Sequence, residues 1–158
     1  MSEAHAETIE RSLAKGLIAG LIGGLIGTLA KTVAERMFPP RTHGEPEPPE
    51  LLTEQLAGHP LDDDTKHAAA EAIHWGFGAA VGAAYGALAE YFPAATAKEG
   101  ASFGMALEAL THESALPALG LSAEPHEQTT REHASEMTSH VVYGVATETV
   151  RGFVRKLL

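Results

Sequence analysis

Residues 16–31 read GLIAGLIGGLIGTLAK: five glycines among leucines and isoleucines, with no charged side chain until Lys31. A glycine in a water-exposed helix interior costs about 1 kcal/mol relative to alanine, so such a segment forms a poor helix on its own. It becomes a good one where two backbones must approach closely. Gly16, Gly20 and Gly24 recur every four residues, as do Gly23 and Gly27, so each set lines one face of a helix as a ridge of small residues. Helices in lipid gain no hydrophobic drive from meeting, and such ridges supply van der Waals contact in its place. The stretch HWGFGAAVGAAYGALAEY carries another ridge of the same period, Gly78, Gly82 and Gly86. Together they predict that the first two long helices pack against each other.

At 158 residues the chain is long enough for one domain, 1–158, with a sizeable core, and it has no internal repeat. Its net charge of −10 and the lack of basic clusters interleaved with aromatics argue against nucleic acid as a partner. Cysteine is absent, which removes disulfides, thiolate metal sites and cysteine nucleophiles. Any metal must be held by His, Asp or Glu.

The uncharged run 16–30 is shorter than the roughly 20 residues of a spanning helix, but Arg11, Lys15, Lys31 and Arg36 flank it and can snorkel. Basic residues before an apolar run also have the form of a secretory signal. Residues 28–34 make a poor small-x-small cleavage site and the helical pattern continues through them, so an uncleaved span is expected. A run of this length also fits the core helix of a soluble alanine-rich protein; the paired ridges favour the membrane.

Four helical segments are predicted, at about 7–37, 65–91, 98–116 and 130–158, bounded by Pro39-Pro40, Pro93 and the Pro117–Gly120 region. Asp62, Asp63 and Asp64 suit the positive start of the second, and Arg151, Arg155 and Lys156 the negative end of the fourth. The expected fold class is all-α, a multi-span transmembrane bundle of about four helices. The connection 39–64 is rich in proline and acid, too polar for lipid, with a short amphipathic interfacial helix expected at 48–56. An even number of spans puts both termini on one side, with Arg11, Lys15, Lys98, Arg151, Arg155 and Lys156. Arg36, Arg41, Lys66 and Arg131 lie opposite, so the positive-inside rule modestly favours cytoplasmic termini.

Ionisable residues within apolar helices are costly in a bilayer unless paired or facing a wet cavity, which marks them for function. Glu71 and His74 sit one turn apart. Glu108 and His112 are four apart, with Glu113 adjacent, and His133, Glu136, His140 and Tyr143 follow a three-four-three spacing along one stripe. If these stripes converge, the bundle encloses imidazoles and carboxylates, a ligand set suited to iron, zinc, copper or manganese. The candidate metal ligands are His74, His112, Glu113, His133, Glu136 and His140. A pair such as His74 and His140 could instead ligate a haem axially, the stripe could carry protons, or the histidines could simply bond across helices. Trp75, Phe77, Tyr85 and Tyr91 could line a cofactor or lipid groove, although helix packing is the commoner role. Serines near histidines have no nucleophile elbow, and no phosphate-cradling glycine loop occurs in a strand-turn-helix setting, so hydrolase and nucleotide chemistry lack support.

The segments GLIAGLIGG, FPPRTHGEPEPPELLTEQLAG, HWGFGAAVGAAYGAL, ALTHESALPALGLS and SHVVYGVATETVRG together resemble the YagU-like family of bacterial inner-membrane proteins, domain of unknown function 1440. The resemblance covers nearly the whole chain. It implies a location and a topology, with no reaction attached. The family-like polar motifs are His74-Trp75, His112-Glu113 before Leu116-Pro117, and His140 with Tyr143-Gly144. Glu108 departs from the pattern, standing where an apolar or aromatic residue is expected.

The role expected from these observations is non-enzymatic: an accessory or interaction subunit of a membrane assembly. Its partners would be the lipid bilayer and a membrane protein or a second copy of the chain. A metal- or haem-binding bundle, and a proton or ion pathway, are the alternatives.

Overall fold

The computed structural model describes residues 11–42 and 44–158. The described residues form helices α1 (Leu13–Met37), α2 (Pro48–Ala57), α3 (Asp63–Tyr91), α4 (Ala101–Leu110), the three-residue α5 (Leu116–Ala118) and α6 (Thr130–Leu157), with no strand among them. The expected first turn at residue 7 lies outside the described residues. Side chains that accept from the first free amides start the long helices: Ser12 from Lys15 N–H at 3.4 Å, Asp62 from Thr65 N–H at 3.0 Å, and Thr129 from Glu132 N–H at 3.1 Å. The bond to Thr65 holds the Asp62 carboxyl below its ordinary range.

α1 runs antiparallel to both α3 and α6. At its start, Ser12 N–H donates to Glu90 at 3.0 Å and Lys15 Nζ to the Leu158 carbonyl at 2.6 Å. At its other end, Ser135 Oγ donates to the Phe38 carbonyl and Thr32 meets His74 at 3.4 Å. The start of α1 and the end of α6 therefore lie at the same end of the bundle.

The ridges explain how close α1 comes to its neighbours. A methyl group on Gly20 would sit 2.8 Å from Gly86 Cα, and one on Gly24 2.9 Å from Gly82 Cα, distances that no packed Cβ tolerates. Gly23 and Gly27 face α6 instead: added methyls there would meet the Thr147 carbonyl at 2.6 Å and the Tyr143 carbonyl at 2.9 Å. The first helix thus uses one ridge for α3 and the other for α6. A third close approach uses Gly100 and Gly104, which also stand four apart: Gly104 of α4 lies against Val141 and Gly144 of α6.

The third expected helix, 98–116, is found at 101–118, its start delayed and a π-helical turn within it. Turns of 3₁₀ type occupy Pro93–Gly100, where Lys98 and Glu99 both hold φ +53° and Gly100 φ +87°. Three successive left-handed residues reverse the chain and bring Gly100 against Gly144. α4 starts directly after this reversal and is the first part of an unbroken helical run over residues 101–118. It leads into a π-helical turn, Thr111–Ala115, before α5. The expected interfacial helix corresponds to α2, whose start is joined by the Glu47 N–H donating to Glu50 at 3.4 Å; it packs on α3, with Lys66 Nζ 3.6 Å from Glu54.

Polar and apolar residues are distributed in the reverse of the usual pattern. Leu13, Leu17, Ile18, Leu21, Ile22, Ile26, Leu29 and Val33 of α1 are exposed, whereas Glu108, His112, Ser135, Glu136, Ser139 and His140 are buried. Among the described residues α1 is the one helix long and apolar enough to cross a membrane. At 29 and 28 residues α3 and α6 have the length, but alanine, glycine and polar side chains leave them less apolar than α1. The apolar spans expected in the second, third and fourth segments are therefore not found by length and composition.

Candidate metal centre

Three of the six proposed ligands meet between α6 and the π-helical turn. His112 Nε2 lies 3.5 Å from Glu136 Oε2, and His140 Nδ1 lies 3.8 Å from the same oxygen. The two imidazole rings stand edge to face with centroids 4.9 Å apart. One ligand atom from each of the three residues falls within 4.8 Å of the others, and all three residues are buried.

The local backbone accounts for the position of His112. Pro117 has no N–H to give the Glu113 carbonyl, so an α-helical ladder cannot continue unbroken through 113–117. The chain widens into the π-turn, in which Leu116 N–H reaches back to the Thr111 carbonyl and Ser114 Oγ donates to the Ala109 carbonyl at 2.8 Å. His112 leaves this turn toward α6. His140 is held by a different device: its Nδ1–H donates to the Glu136 carbonyl one turn earlier at 2.8 Å, an assignment that leaves Nε2 as the ring's acceptor.

Glu136 is the most constrained of the three. It is 1% exposed, and neither carboxylate oxygen has an aligned hydrogen-bond donor. Cationic groups nevertheless surround it. Arg41 Nη1 is 3.2 Å from Oε1, close enough for an ion pair although the N–H directions miss, and Lys31 Nζ is 4.0 Å from Oε2. Lys31 is itself paired with Glu35, and Arg41 also stands 4.0 Å from Glu132. Lys31 and Arg41 carried no ligand signal in the sequence, one serving as a helix flank and the other following two prolines. Their part in the site comes only from the fold.

The other proposed ligands lie apart. His133 Nδ1 and Glu113 pair with each other at 2.8 Å, and His133 Nε2 bonds the Pro125 carbonyl at 2.9 Å. Glu71 accepts from Trp75 Nε1 at 2.9 Å. His74 borders the same cavity as the trio but bonds Thr32. Of the six residues, three come together; His133 lies on the same face of α6 but two turns, about 10 Å, before His140, and is held there by Glu113 and the Pro125 carbonyl. Glu108, the departure from the family pattern, is 2% exposed and faces the interior. Tyr143 donates its hydroxyl to the Gly78 carbonyl at 2.7 Å, and Tyr85 stacks on Phe103 at 4.0 Å, so both tie helices together.

A cavity of about 290 Å³ adjoins the trio, walled by Ile73, Phe77 and Leu107 and covered by Pro48, Pro49 and Leu52. That volume is at the lower end for small-molecule pockets, which suits an ion with a small ligand better than a macrocycle. Ligand atoms bound to one zinc or iron ion lie about 3.4 Å apart, so rotations of the Glu136 and His112 side chains would close the present spacing around an ion. Two imidazoles and one carboxylate leave positions open for a further ligand and match borderline divalent ions.

No curated protein and no solved structure matches the chain. A family described as protein of unknown function (DUF1440) matches residues 25–149, a span from the middle of α1 almost to the end of α6 that includes every residue of the buried trio. The chain belongs to this family.

Proposed function

We propose that this protein is a membrane-embedded helical bundle that holds a divalent first-row transition ion at His112, Glu136 and His140. The observation that carries the reading is the buried Glu136 carboxylate, without an aligned donor and set between two imidazoles. A buried charge of this kind costs several kcal/mol unless it is paired well, and a coordinated cation pairs it better than the offset Arg41 contact. The bound ion would supply Lewis acidity, and the chain's residues would fix its geometry.

The membrane setting is supported by the outward leucines and isoleucines of α1, which would be unfavourable in water over so long a face. From the family resemblance we assign it to a bacterial inner membrane as a YagU-like protein, with α3 and α6 crossing beside α1. Lys15, Arg151, Arg155 and Lys156 gather at one end of the bundle and favour the cytoplasm for both termini. Purified protein in detergent should bind about one equivalent of Co²⁺ with a ligand-field absorption spectrum, and His112→Ala and His140→Ala should each abolish it. A folded, detergent-dependent protein without such binding would overturn the metal reading.

The exposed apolar face of α1 favours a second reading, an accessory subunit that offers this face to a membrane partner. Cross-linking from Leu21 or Ile22 in native membranes tests it: a discrete adduct with one protein or a second copy supports the reading, and labelling of lipid alone overturns it.

A further inference from the structure

A second, wider cavity of about 500 Å³ lies beside α2, at the end of the bundle where α1 stops and α3 begins. Among the described residues it is bordered by Glu35, Glu45, Glu47, Glu50 and Glu71 together with His67 and His74, against which stand Arg36 and Arg41. The polar connection around it is too hydrophilic to lie in lipid, so its mouth opens to water. Five residues border both this vestibule and the inner cavity: Glu35, Arg41, Glu47, Pro49 and His74. Beyond them is Glu136, its oxygens lacking aligned donors. A chamber with a surplus of carboxylates therefore leads from solvent to a buried, incompletely bonded carboxylate.

Arg41 occupies the junction. Its guanidinium lies 3.2 Å from Glu136 and 4.0 Å from Glu132, so it balances the buried charge and has a second carboxylate within reach. A divalent ion arriving at Glu136 must displace it, since two cations cannot share the same oxygens without strong repulsion. We propose that the acidic vestibule beside α2 is the path by which a divalent cation reaches the centre and that Arg41 is its gate, moving from Glu136 to Glu132 as the ion binds. This inference rests on the metal reading above. Glu47, Glu50 and Glu71 concentrate the cation at the mouth, His74 stands at the neck, and Arg41 keeps the empty centre charge-balanced.

The test uses the full chain in detergent, with Co²⁺ as the probe and stopped-flow absorbance as the readout. The double variant Glu50→Gln/Glu71→Gln keeps both hydrogen-bond acceptors and removes two charges from the rim. Its association rate should fall about three- to tenfold at low salt, the difference should shrink at high salt, and the spectrum of the bound ion should not change. Arg41→Gln should bind Co²⁺ about tenfold tighter or more, because the guanidinium no longer has to be displaced, while Lys31 stays paired with Glu35. Wild-type rates in the rim variant would overturn the path, and unchanged or weaker binding by Arg41→Gln would overturn the gate, with the metal centre intact in both cases. Failure of the wild-type protein to bind Co²⁺ would overturn the centre itself and the access path with it.

Discussion

Gly20 of α1 and Gly86 of α3 are in backbone contact: a methyl group on Gly20 would sit 2.8 Å from Gly86 Cα. Neither helix can withdraw without losing the contacts at Gly16 and Gly24 on the same ridge. Gly20→Ala should therefore destabilise the bundle by about 1–3 kcal/mol, the cost of overpacking a tight interior. Gly76 is the control, because it lies on the same helix as Gly86 with nothing within 4 Å of an added methyl. Gly76→Ala should be neutral or stabilising, by up to about 1 kcal/mol from helix propensity. Thermal unfolding in detergent separates the two.

The left-handed residues before α4 allow an opposite pair of substitutions. Glu99 at φ +53° carries a side chain where glycine is at ease, so Glu99→Gly should raise stability or leave it unchanged. Gly100→Ala should lower it by about 2 kcal/mol or more, since strain at φ +87° adds to a methyl 2.6 Å from Glu148 Cβ. If both variants lose stability equally, packing rather than backbone conformation governs this reversal.

Metal removal should be visible as lost stability. An ion that binds only the folded state at 100 times its dissociation constant adds about 2.7 kcal/mol, and a chelator should remove that increment from the wild-type protein. His140→Ala should show no response to chelator. Differential scanning fluorimetry with and without chelator makes the comparison, and equal responses in the two proteins would argue against His140 as a ligand.

The outward face of α1 distinguishes lipid from water. Leu21 is 43% exposed, so Leu21→Lys in an aqueous protein would be nearly neutral. In a bilayer the same change near the middle of a span costs about 2.5–3.5 kcal/mol on insertion scales. The variant should show reduced membrane levels in a fractionation assay. Normal amounts of variant in the soluble fraction would contradict a membrane-embedded α1.

Much of the local structure was legible along the chain. The period-four glycines, the prolines that end helices, the acidic start at Asp62–Asp64 and the basic last turn of the fourth helix act over one or two turns, and the main bounds of α1, α3 and α6 follow from them. The late start of the third segment was not legible, because the left-handed Lys98 and Glu99 accompany a contact of Gly100 with Gly144 of α6 that no local rule contains. Spacing likewise could not say that Gly23 and Gly27 meet α6 while Gly20 and Gly24 meet α3, since a ridge records a close approach without naming its partner.

The same division holds at the centre. Sequence by itself determined an all-helical chain with imidazoles and carboxylates at helical spacing, because periodicity is a property of each helix alone. Only the tertiary structure selected His112, Glu136 and His140 from the six candidates, through a π-turn that aims His112 across to α6. It also brought Arg41 from a polar connection and Lys31 from a helix flank to the Glu136 carboxylate. Those contacts join residues about a hundred positions apart. They depend on how α1 and α6 are packed against each other, and no local rule of spacing or propensity encodes that.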